Sequence, residues 1–86
     1  MANIIMIIKK AEMKLENNKV ILRLDGYGIE NGETMRVEMS QDNLKTLLAE
    51  TGKSELSEIE SQLVVADTST YPALYIKGLN KDSLIV

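Results

Sequence analysis

Residues 10–25 read Lys10-Ala11-Glu12-Met13-Lys14-Leu15-Glu16-Asn17-Asn18-Lys19-Val20-Ile21-Leu22-Arg23-Leu24-Asp25. Asparagine tolerates positive φ, so Asn17-Asn18 suits the two-residue type I′ turn that matches the twist of paired strands. That turn sets Glu16 against Lys19, and counting back sets Leu15 against Val20, Met13 against Leu22 and Ala11 against Leu24. All of these share one apolar face. The other face pairs Glu12 with Arg23, Lys14 with Ile21 and Lys10 with Asp25, its charge pairs opposite in sign. A slip of one residue would bury the charges, which makes the register specific.

Outward from this hairpin, Asn31-Gly32 predicts a second two-residue turn. It pairs Glu30 with Glu33, Gly28 with Met35, Gly26 with Val37 and Leu24 with Met39, and so places Asp25 opposite Glu38. Leu24 then lies on the same inner face in both hairpins, and this agreement supports a three-stranded antiparallel meander. Gly26 and Gly28 mark a bulge or room for a large neighbour.

Ser40 or Asp42 can cap a following helix with Leu44, Leu47 and Leu48 on one stripe, ended by Gly52 in the left-handed region. A short helical turn follows from Ser54, with capping-box spacing between Ser57 and Glu60 and an apolar side of Leu56 and Ile59. Leu63 to Ala66 and Ala73 to Lys77 read as closing strands. The apolar tail Ser83 to Val86 adds a third or docks on a partner.

The expected class is therefore α+β, in the order β-β-β-α-β-β, as one domain over residues 1–86. That is the element order of an OB-fold, a five-stranded barrel with a helix between its third and fourth strands. An open sheet crossed by one helix is the alternative. A first strand running from Asn3 to Glu16 is long enough to bend near Lys9-Lys10 and serve two sheets.

Composition narrows function by exclusion. The 86 residues carry no cysteine and no histidine. Disulfides, Cys/His zinc sites and Ser-His-Asp or Cys-His catalysis are thereby excluded for this chain. General acid–base work would fall to carboxylates, lysine or tyrosine. At 44% hydrophobic residues and a net charge of −3, disorder is not expected. The aromatics are three tyrosines, so the core must be aliphatic and methionine-rich.

The apolar run at Ile4 to Ile8 precedes its lysines and is too short for a secretory signal or a membrane span, which points to a cytoplasmic protein. No catalytic, metal or cofactor signature is present. Gly26-x-Gly28-x-x-x-Gly32 leads into a turn, not a helix N-terminus, and reads as structural. Asp25 facing Glu38 is the nearest approach to an acid pair, but Lys10 opposite Asp25 neutralises it. Glu50, Glu55, Glu58 and Glu60 read as a solvated helix face.

Two surfaces are candidates for binding. In a continuous strand Ile4, Met6 and Ile8 fall on the outer face; with Leu84 and Val86 they would form an apolar patch for a protein partner or a second copy, or else the C-terminal strand and the short helix cover them within the chain. Arg23, Tyr27 and Arg36 on the outer face of the meander would form a basic-aromatic patch for single-stranded nucleic acid, although the acidic net charge opposes it. The first reading is preferred: a small non-enzymatic protein-interaction module, of the accessory or inhibitor kind found among phages and mobile elements, acting through its N-terminal strand. The second is the alternative.

Overall fold

A computed structural model describes residues 3–79. The expected tail contacts of Leu84 and Val86 lie outside the described residues.

Five strands form one antiparallel sheet in the order β3-β2-β1-β4-β5. They are β1 (Asn3–Glu16), β2 (Lys19–Gly28), β3 (Thr34–Ser40), β4 (Leu63–Asp67) and β5 (Leu74–Leu79). Helix α1 (Asn43–Thr51) and a 3-10 turn (Leu56–Ile59) lie between β3 and β4. The sheet is open. Among the described residues, β3 meets the start of β5 at one isolated parallel bridge, Val37 with Ala73, where the Glu38 N–H donates to the Ala73 carbonyl at 3.2 Å.

The first hairpin has the expected register from Glu16–Lys19 through Lys10–Asp25. Asn17 and Asn18 both take positive φ, at 51° and 62°, as a type I′ turn demands. The second hairpin differs from expectation by two residues. Leu22 faces Met39, Leu24 faces Val37, Gly26 faces Met35 and Tyr27 faces Thr34. The connection is longer than two residues, because the Gly28 N–H bonds the Glu33 carbonyl and the Gly32 N–H bonds the Gly28 carbonyl. Only Gly32, at φ 69°, enters the left-handed region. The Asn31 side chain instead accepts the Glu33 N–H at 2.9 Å. A two-residue turn would need Asn31 itself at positive φ. A shift of two preserves the face of every side chain, so the inner set survives while each cross-strand partner changes.

The register of the long first strand breaks where the sequence suggested a bend, but the strand serves one sheet. A β-bulge at Lys9 separates the pair Ile8–Gly26 from the pair Lys10–Asp25. The N-terminal half of β1 pairs with β4 as well as β2, from Asn3–Asp67 to Ile7–Leu63. At the bulge the backbones close up: a Cβ on Gly26 would sit 1.8 Å from the Ile7 carbonyl oxygen. Glycine is the residue that permits this approach.

The core lies on the inner side of the sheet. Met6, Ile8, Leu22, Leu24, Val37 and Val64 are fully buried, and Leu47 of α1 and Ile59 of the 3-10 turn close over them. Each such side chain contributes about 1.5–3 kcal/mol relative to exposure. Gly52 ends α1 at φ 73°, as expected. The capping box at the 3-10 turn lies two residues earlier than expected, on Glu55 and Glu58 instead of Ser57 and Glu60. Glu58, not Glu60, reaches back, accepting the Glu55 N–H at 3.0 Å and the Ser54 hydroxyl at 2.9 Å.

Candidate functional site

The bulge divides the outer face of the sheet into two chemically different halves. On the hairpin side, cross-strand rows run Lys10–Asp25–Arg36, Glu12–Arg23–Glu38 and Lys14–Ile21–Ser40, ending at Glu16–Lys19. Five cations (Lys10, Lys14, Lys19, Arg23, Arg36) stand among four anions (Glu12, Glu16, Asp25, Glu38). On the other side the rows run Tyr27–Ile7–Leu63 and Ile5–Val65, with Ile29 donating its N–H to the Ile5 carbonyl at 3.1 Å. None of these six is charged. Lys77 closes the second row, and Asn3–Asp67–Leu74 follows it.

This division corrects the placement of the N-terminal run. Met6 and Ile8 are not on the outer face. They are fully buried, opposite Gly28 and Gly26, while Ile4 is half-buried opposite Ala66. The physical reason is parity. One extra residue at Lys9 reverses the alternation, so the face that carries Lys10 and Lys14 carries Ile5 and Ile7 beyond the bulge. The outer apolar residues are therefore Ile5, Ile7, Leu63 and Val65, all half-buried, with Tyr27 and Ile29 at 38% and 42% exposure. Sequence reasoning missed them because five consecutive apolar residues satisfy either parity.

The charged half is organised by two arginines. Arg23 is nearly buried and bonds two carboxylates, Glu38 through Nε at 2.6 Å and Glu16 through Nη2 at 2.7 Å. Arg36 is exposed and holds Asp25 through Nε at 2.7 Å. The Glu38 hydrogen bond is the main reason the Arg23 guanidinium is held charged more firmly than usual, and Asp25 does the same for Arg36. The expected facing of Asp25 with Glu38 is thereby corrected: the two-residue shift gives each carboxylate an arginine. Among the described residues no group of three or more acidic side chains is placed to hold a metal ion.

Beside this half lies an open cleft of about 350 Å³. One wall is the outer surface of β2 and β3 with Arg23, Arg36 and Glu38; the other is the β4–β5 connection with Thr70, Tyr71 and Pro72. Asp67 anchors that connection, accepting the Ser69 N–H at 2.9 Å and the Ser69 hydroxyl at 2.5 Å, and the hydroxyl chiefly holds its carboxyl below the usual range. Tyr71 is 99% exposed. Of the expected basic-aromatic patch, the structure brings Arg23 and Arg36 to the cleft but leaves Tyr27 on the apolar side of the bulge. Tyr71 takes its place, and its only sequence signal was a tyrosine beside the single proline in a loop.

The expected acidic stretch is partly structural. Glu50 accepts the Tyr75 hydroxyl and the Gly78 N–H, the latter at 2.8 Å, and so ties α1 to β5. Glu58 is engaged at the 3-10 turn, where the Ser54 hydroxyl is the main cause of its lowered pKa. Among the described residues no helix is long and apolar enough to cross a membrane.

No family model, curated protein or solved structure matches the chain.

Proposed function

We propose that the protein is a non-enzymatic interaction module that associates with a second copy of itself through the apolar half of its outer sheet face. The observation that carries this reading is the pair of rows Tyr27–Ile7–Leu63 and Ile29–Ile5–Val65, six contiguous uncharged side chains that are half-buried or exposed, bordered by Lys77. Sheet faces of this kind pack on sheet faces, with side chains of the two inner layers interdigitating. A two-fold contact sets the same patch against itself, and an uncharged patch does so without like-charge repulsion. The patch spans a few hundred Å², below the roughly 800 Å² per partner of a standard interface. Association is therefore expected to be reversible and dependent on concentration.

The architecture we propose for this module is OB-like. Joining the open edges at Val37–Ala73 gives the cyclic order β1-β2-β3-β5-β4, with α1 between β3 and β4, which is the OB arrangement. The long β1, which breaks register at Lys9 and pairs with both β2 and β4, supports it. One bridge is a thin seam, so the closure is partial.

The test is solution mass by light scattering over a concentration series, with variants on both faces of β1. The parent should rise toward twice 9.6 kDa. Ile5→Lys and Val65→Lys should stay folded and monomeric, whereas Ile8→Lys should unfold. A parent that stays monomeric at about the millimolar end of weak association, or surface variants that assemble like the parent, would overturn the reading.

A further inference from the structure

We infer that the cleft between the charged half of the sheet and the β4–β5 connection binds single-stranded nucleic acid. The inference does not depend on self-association, because no residue lining the cleft belongs to the apolar rows.

Tyr71 is the first ground. A ring that is 99% exposed contributes almost nothing to the core, yet its loop is built rather than loose. Asp67 holds Ser69, and the Thr70 hydroxyl donates to the Pro72 carbonyl at 3.3 Å. An anchored ring with free faces at the rim of a cleft is a stacking platform, and every unpaired base has a π-face to offer it. A duplex hides those faces, so the site favours single strands.

Arg36 is the second. It holds Asp25 through Nε, and its side chain is 57% exposed. A guanidinium has five N–H donors. Its terminal nitrogens can therefore meet a phosphate while the Asp25 pair stays intact. Arg23 is committed to two carboxylates and supplies the wall. The cleft, at about 350 Å³, falls within the range of small-ligand sites, as a groove for one base and its phosphate requires.

The near balance of charge on this half then fixes the character of binding. Few cations are available to release counterions, so stacking must dominate and the salt dependence must be shallow, with one or two phosphates neutralised at most.

The experiment is fluorescence anisotropy of a labelled oligothymidine of about ten nucleotides titrated with the full chain, alongside a duplex of the same length, across a salt series. Saturable binding of the single strand and at least tenfold weaker binding of the duplex are expected. Tyr71→Ala should weaken binding about tenfold, Tyr71→Phe should restore it, and Arg36→Gln should flatten the remaining salt slope. Ile5→Lys should bind as the parent does, which separates this site from the self-association face. No anisotropy change at low salt up to about 100 µM protein, or a Tyr71→Ala variant that binds like the parent, would overturn the inference.

Discussion

Glu50 accepts two donors from β5, the Tyr75 hydroxyl and the Gly78 N–H, and is the side chain through which α1 grips the edge of the sheet. Burial, and then the Glu50 hydrogen bond, raise the Tyr75 phenol pKa above its ordinary value near 10. The neutral phenol is thus favoured in the folded state. Its contribution is fully present below the unfolded value and is lost as pH rises through the higher folded value. Tyr75→Phe should cost about 1 kcal/mol at neutral pH, low for a charge-assisted bond because the Glu50 carboxylate is exposed to solvent. Above pH 10 or so, the parent should lose stability more steeply than the variant. Urea midpoints of both proteins from pH 8 to 11 measure this, and parallel slopes would sink the assignment. A tyrosine three residues before a glycine gives no hint in the sequence that a helix glutamate 25 positions earlier will meet it.

At the scale of elements, the bulge is the decisive feature. Its position was legible in part: Gly26 and the Lys9-Lys10 step both suggested a bend. Its effect on parity was not, since the run Ile4-Ile5-Met6-Ile7-Ile8 offers an apolar side chain to either face. Alternation fixes a face only when the residues alternate, as they do from Lys10 to Glu16. The backbone approach at Gly26 makes a sharp expectation. Gly26→Ala would set its Cβ against the Ile7 carbonyl, a backbone atom that no rotamer change can move, and should cost roughly 3 kcal/mol or more. Gly32→Ala meets nothing within 4 Å and suffers only from its φ of 69°, so about 1 kcal/mol is expected. Denaturation midpoints of the two variants should rank in that order; equal losses would mean that the strands do not approach as described.

The whole molecule is long for its mass, 43 × 27 × 19 Å, because β1 runs through 14 residues at about 3.3 Å each, and β4 pairs with only its Asn3–Ile7 end. Leu15, on the inner face near the hairpin tip, is 71% exposed although its expected pairing with Val20 holds. The core ends before the hairpin does. At the opposite seam, the proposed closure would depend on the Glu38 N–H bonding the Ala73 carbonyl. Under the OB-like reading this amide should exchange far more slowly than an edge-strand amide does, at a rate approaching that of the central strand. Hydrogen exchange by NMR tests it, and rapid exchange at Glu38 would leave the sheet open in solution as well.

Local chemistry in the sequence determined the first hairpin, the inner face of the meander, the helix with its glycine stop and the element order. Each rests on interactions between near neighbours: two asparagines that accept positive φ, side chains alternating with period two, leucines three and four apart. Tertiary structure alone decided which face of the N-terminal run is core, which arginine meets which carboxylate, and that Tyr71 rather than Tyr27 stands over the cleft. Those outcomes depend on one inserted residue in a strand, two extra residues in a turn, and a loop carried across the sheet by β4 and β5. A change that small in backbone path leaves the residue pattern untouched, and so it becomes readable only when distant strands are seen side by side.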